Sequence, residues 1–132
     1  YKMSLNDPLA NVLSHIKNYE QLGKKEILTP HNSKIIKKVL EIMQQNNFIG
    51  SFEEVPSGSH SWLKINLLGR INKTGVIKPQ FQITKDDFVK YEQRFLPARD
   101  FGIIIISTNL GLMTLKEANE KRIGGKLISF VY

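Results

Sequence analysis

Apolar residues along this chain recur in two rhythms, one near 3.6 residues and one of two, and the switches between them mark out the elements. Leu5, Leu9, Val12, Leu13 and Ile16 fall on one helical face. Asn6 or Asp7 precedes Pro8, which suits the first helical position because its missing N–H has no partner there anyway. Gly23 is placed to end this helix, and Lys25 to Thr29 reads as a short strand stopped by Pro30. A second helix is predicted from Ser33, with Ile35, Ile36, Val39, Leu40 and Met43 as its apolar stripe. Lys34, Lys37, Lys38 and Glu41 lie opposite, and Asn46-Asn47 breaks the pattern. Two strands follow, Phe48 to Val55 and Ser61 to Leu68, around the turn residues Pro56-Ser57-Gly58-Ser59. Alternation in the second puts Leu63, Ile65 and Leu67 on a core face and Trp62, Lys64 and Asn66 on the other.

From Gly69 to Pro79 the composition shifts to two glycines, a proline and the cations Arg70, Lys73 and Lys78, which reads as a hinge between two halves. The division predicted is an N-terminal α/β domain over 1–75 and a C-terminal α/β domain over 76–132. Phe81 and Ile83 resume alternation, and Thr84 precedes a helical turn around Asp87 to Tyr91. Phe101 to Ser107 is apolar on both faces, as a central strand would be. Thr114-Leu115-Lys116-Glu117 is a capping box, in which the two side chains satisfy free N–H groups of the first turn. That helix is expected to reach Arg122 and stop at Gly124-Gly125, before a last strand from Lys126 to Tyr132. The fold class that follows is α/β (α+β): two small α/β domains packed together, with mixed sheets and flanking helices.

Charge changes the picture more than composition does. Nineteen Lys and Arg against twelve Asp and Glu give +7 in 132 residues, an excess that favours a polyanionic partner. The absence of cysteine removes disulfides, thiolate metal sites and thiol catalysis, and fits a reducing cytosol. Tyr1-Lys2-Met3-Ser4 leads into an amphipathic pattern rather than an apolar leader, and Ile103 to Ile106 is too short to span a bilayer. A soluble protein is expected.

Ile106-Ser107-Thr108-Asn109-Leu110-Gly111-Leu112-Met113-Thr114 is the most informative segment. An apolar strand delivers small polar residues, then a glycine, then a capped helix; hydroxyls, an amide and helix-start N–H groups suit phosphate and sugar oxygens. An ordinary strand-to-helix turn has the same composition, and spacing alone favours it. Gly124-Gly125-Lys126 is the second candidate, open enough for RNA backbone and carrying a cation. Glycine is also the default at a helix C-terminus. Catalysis has little to stand on. His15, His31 and His60 are far apart, no metal-ligand spacing appears, and neither Ser107 nor Ser129 sits in a Gly-x-Ser-x-Gly pattern. Asp86-Asp87 reads as helix-start charge, and no Walker or Rossmann glycine pattern is present.

Taken in order, these segments resemble one family. Asp7-Pro8-Leu9-Ala10, Asn32-Ser33-Lys34 and Asn47-Phe48-Ile49-Gly50 are similar to the universal small-subunit ribosomal protein number eight, relatives often carrying glycine where Asn47 stands. Ser107 through Thr114 and Gly124-Gly125-Lys126-Leu127-Ile128 extend the likeness to the whole chain. Leu68 through Ile77 and Leu96-Pro97-Ala98-Arg99-Asp100-Phe101-Gly102 look like its eukaryotic and archaeal form. The resemblance implies a structural, non-catalytic component of the cytosolic small ribosomal subunit, without cofactor, metal or small-molecule substrate. Its partners would be small-subunit ribosomal RNA and neighbouring ribosomal proteins, with the C-terminal domain gripping a stem of the central RNA domain. Its RNA contacts fall here on Ser107, Thr108, Asn109 and Gly111, beside Gly124, Gly125 and Lys126, with N-terminal contacts near Ser33 and Lys34. Thr84 stands where bacterial relatives often have tyrosine, and Lys126 where they often have glutamate. Two other readings compete: a basic module regulating a messenger RNA, and a small hydrolase using Ser107 with a histidine.

Overall fold

A computed structural model describes residues 8–30, 33–58, 60–78, 82–84, 86–98 and 101–132. The chain divides into two compact units, Tyr1–Thr74 and Gly75–Tyr132. Expectations resting on Tyr1 to Asp7, His31, Asn32, Ser59, Pro79 to Phe81, Arg99 and Asp100 lie outside the described residues.

In the first unit, helix α1 (Pro8–Gln21) buries Leu9, Val12, Leu13 and Ile16, the stripe read from the sequence. Its end turns through Gly23 at φ 75, where Lys24 N–H reaches back to Tyr19 O at 3.0 Å. Strand β1 (Glu26–Thr29) buries Ile27 and Thr29. Helix α2 (Lys34–Gln45) starts at Ser33, whose hydroxyl accepts from Ile36 N–H at 3.4 Å. Its buried residues are Ile36, Val39, Leu40, Ile42 and Met43. Ile35 departs from expectation: it lies at the rim of that arc on the first turn and is 40% exposed, while Ile42 takes a buried place. Strands β2 (Ile49–Ser57) and β3 (His60–Leu67) complete a sheet of order β1-β3-β2, antiparallel throughout. Leu63 and Ile65 are fully buried, as alternation requires.

The β2–β3 turn is tighter than the sequence suggests, since pairing continues through Pro56↔Ser61 to Ser57↔His60. Proline is compatible with β2 because it is an edge strand, where only one side of the ladder needs backbone donors. The predicted hinge is also more structured. The Glu20 carboxylate accepts from both Gly69 and Ile71 N–H at 3.1 Å, and a strand forms a few residues later.

The second unit contains all but the first residue of β4 (Thr74–Val76), then β5 (Gln82–Ile83), α3 (Phe88–Phe95), β6 (Ile103–Thr108), β7 (Gly111–Thr114), α4 (Leu115–Lys121) and β8 (Gly125–Val131). Its sheet runs β4-β8-β6-β7, and β5 also pairs with β8. Strand β6 is therefore interior, and Ile104, Ile105 and Ile106 are buried on both faces. With β5–β8, β6–β7 and β6–β8 antiparallel, the α+β class is met, but the sheets are antiparallel where mixed ones were expected. The helical connections through α3 and α4 do return strands in the same direction, β5 with β6 and β7 with β8, but each such pair straddles a third strand, so these neighbours pair antiparallel. Helix α3 is a full eight residues rather than a turn, burying Phe88 and Tyr91 in a core with Ile77, Ile83, Leu96, Ile106, Leu115 and Leu127.

Between Ile105↔Ser129 and Ile106↔Leu127 the register shifts, leaving Ile128 as an extra residue on β8. Such a bulge bends its strand and re-aims the residues beside it. Here these are Gly125, Lys126 and Leu127, at the end of the sheet where the polar segments meet.

Candidate nucleic-acid interface

Ser107 and Thr108 end strand β6, and Gly125 and Lys126 begin β8 beside them. Directly paired residues share a face, so Gln82↔Lys126 and Lys126↔Ser107 set a polar row across three strands. Neighbouring Ile106 and Leu127 point instead into the core. A side chain at Gly125 would place its Cβ against the Ser107 carbonyl oxygen, and one at Gly124 would meet the Ile83 carbonyl oxygen. Only glycine lets β8 lie this close to both neighbours.

This explains the glycine pair differently from the sequence reading. Helix α4 does not stop on Gly124-Gly125. It ends at Lys121, with Arg122 as a left-handed cap at φ 56 and ψ 44, and Ile123 N–H bonding Ala118 O at 3.0 Å. The glycines serve strand contact, and neither has a positive φ.

The Ser107 segment is also corrected. It leads into a hairpin and not directly into a helix: Thr108 pairs with Gly111 across Asn109 and Leu110, and β7 separates the turn from α4. Leu112 and Met113 alternate like a strand and pair with Ser107 and Ile106. Helix-start N–H groups therefore do not belong to this loop. Thr114 does cap α4, accepting from Glu117 N–H at 3.2 Å while its hydroxyl lies 3.2 Å from Glu117 Oε1. The Thr108 hydroxyl accepts from Leu110 N–H at 3.1 Å and donates to Gly111 O at 2.9 Å. Gly111 takes φ 113 to close the turn. Thr108→Ala should accordingly cost about 1 kcal/mol in the denaturation of the second unit, the worth of a lost turn bond or two.

These elements enclose one open groove of about 720 Å³. Six residues named from the sequence line it: Ser107, Thr108, Asn109, Gly124, Gly125 and Lys126. Thr84, noted from the sequence as standing at a bacterial tyrosine position, lines it too, as do Gln82, Ile83, Arg122 and Ile123, which sequence reasoning missed. The two-residue strand Gln82–Ile83 is too short for its pairing to be legible, and Arg122 looks like an ordinary last helical residue. Gly111 is not part of the lining; it shapes the hairpin behind it. Ser33 and Lys34 belong to the first unit, where Ser33 caps α2 and Lys34 is exposed.

The groove combines hydroxyls, amides, backbone and two cations, and no carboxylate among its described lining residues. The Asp87 carboxylate accepts from the lining residue Thr84, N–H at 3.3 Å and Oγ1 at 3.1 Å. No histidine lines it among the described residues, so Ser107 has no base there. Among the described residues no cluster of His, Asp and Glu could hold a metal, and no helix is long and apolar enough to cross a membrane. The basic face of α2 is largely paired within the unit, Lys37 with Glu54 and Lys38 with Glu41 at 3.9 Å. On the outer sheet face Lys64 lies 3.6 Å from Glu26, beside half-buried Trp62.

The sequence model of the family described as Ribosomal protein S8 matches residues 7–132. The chain belongs to that family. As a ribosomal protein S8 it binds ribosomal RNA, works in a ribonucleoprotein with other ribosomal proteins, and comes from a structural rather than an enzymatic family. The match covers both units, so the groove and α2 are both parts of the S8 framework.

Proposed function

We propose that this protein is a structural constituent of the cytosolic small ribosomal subunit, and that its C-terminal unit grips a stem in the central domain of small-subunit ribosomal RNA, supporting assembly and translation. The observation carrying this is the convergence of the Ser107 hairpin and the Gly124-Gly125-Lys126 strand on one open groove with no carboxylate among its described lining residues. Close glycine packing makes its floor out of backbone, and a flat floor edged by hydroxyls and cations suits sugar 2′-OH groups and phosphates. Ser107, Thr108, Asn109, Lys126 and the two glycines form the main contact, while Ser33 and Lys34 supply a second one from the N-terminal unit. Gly111 acts through the shape of the hairpin.

Ser107→Ala is the cleanest probe, because no protein partner for its hydroxyl competes with RNA among the bonds described at the hairpin. It should weaken binding to a central-domain RNA fragment by roughly tenfold, the worth of one good polar contact, with the thermal midpoint unchanged. Filter binding beside a thermal melt reads both, and unaltered affinity would remove Ser107 from the interface. In a lysate the chain should co-sediment with small subunits. Recovery mainly in slow-sedimenting fractions would favour a messenger-RNA regulator instead.

A further inference from the structure

Two non-glycine residues adopt left-handed backbone conformations among the described residues, Asn47 at φ 64 and Arg122 at φ 56. Both follow helices, where glycine is the default because any Cβ crowds the adjoining carbonyl. Asn47 is one of the few side chains that tolerate this well. Arginine has no such local compensation, so its presence at the end of α4 calls for a reason outside the backbone. Helix-end charge alone is a weak one, since Lys121 already supplies a cation to the last turn.

Arg122 is exposed, lines the groove with Lys126 and Ser107, and has no ion-pair partner among the described residues. We propose that Arg122 is an RNA-contacting residue of this groove: its strained cap is kept so that the guanidinium can meet a backbone phosphate on the wall opposite the Ser107 hairpin. This rests on the RNA-binding reading of the groove and deepens it by adding a specific cation. A residue in the ordinary helical conformation would extend α4 by a turn and carry the side chain away from the start of β8. The left-handed residue turns the chain so that β8 begins three residues later, at Gly125 and Lys126. The planar fork of arginine also suits two oxygens of one phosphate, which a lysine meets only as a point charge.

The two roles separate by the sign of their effects. In the full chain, Arg122→Gly should raise the thermal midpoint by about 2–4 °C, as strain is relieved. The same change should weaken binding to a central-domain fragment of small-subunit ribosomal RNA by roughly tenfold at near-physiological salt. The log–log salt slope should shrink by about one unit or slightly less, one phosphate's share. Arg122→Met keeps the strain and removes the charge, so it should lose the same affinity without the stability gain. Arg122→Lys should keep most of the slope and lose part of the affinity. Parent-like affinity and slope in Arg122→Met would overturn the proposal, as would a lower midpoint in Arg122→Gly, which would make Arg122 a structural cap. Ser107→Ala and Lys126→Met serve as controls. If they weaken binding and Arg122→Met does not, only the role of Arg122 falls. If none of the three matters, the groove is not the RNA site and both readings fall together.

Discussion

Gly125→Ala should abolish recognition of the RNA stem, with affinity down by more than about a hundredfold, and should destabilise the C-terminal unit by about 2–4 kcal/mol. The added methyl would sit against the Ser107 carbonyl oxygen, a backbone atom that cannot rotate away. Relief requires β8 to move off β6, which breaks the pairing Ser107↔Lys126 and pulls apart the residues proposed to meet RNA. Site and stability therefore fail together. Chemical denaturation combined with binding measured on the folded fraction separates the two losses. A folded Gly125→Ala protein with parent affinity would show that close strand contact is not what shapes the groove.

Ile106→Ala should cost about as much stability with far less effect on binding. Ile106 is fully buried, immediately before Ser107, and packs in the core with Leu127, Met113 and Leu115. Truncation removes buried surface and leaves a cavity that well-packed neighbours fill only in part, for about 2–5 kcal/mol. The ladder bonds of β6 involve backbone alone, so the Ser107 and Thr108 positions survive in the molecules that remain folded. The urea midpoint should fall sharply, while affinity corrected for the folded fraction stays within about threefold of the parent, well under 1 kcal/mol. A large loss of corrected affinity would mean that core packing sets groove geometry more directly than strand pairing does.

The contrast shows what the sequence could and could not convey. Elements with a strong period were legible: the α1 stripe, the Ser33 cap, the alternation of β3 and the interior position of β6 all follow from local spacing. Partnerships between distant segments were not. Gly124-Gly125 looked like a helix stop because glycine at that place usually is one, whereas the reason lies in two carbonyls about 18 and 41 residues earlier in the chain. The Ser107 segment looked like a strand-to-helix turn because Gly111 to Thr114 is too short to declare itself a strand without its partner β6. Lys37 and Lys38 were legible with Glu41 as the polar face of α2, but the distant partner of Lys37, Glu54 on β2, was not. Arg122 offered no signal at all, since residue type does not reveal that a position has a positive φ.

Charge alone would send a +7 protein to any polyanion, so the discriminating property is shape. The most direct test is binding of the purified chain to a central-domain fragment of small-subunit ribosomal RNA, beside an unrelated stem of equal length, at low and near-physiological salt. A groove built as described should prefer the ribosomal stem and retain that preference when salt rises and general phosphate attraction fades. Equal binding to both stems, collapsing together with salt, would contradict it and leave only a basic surface.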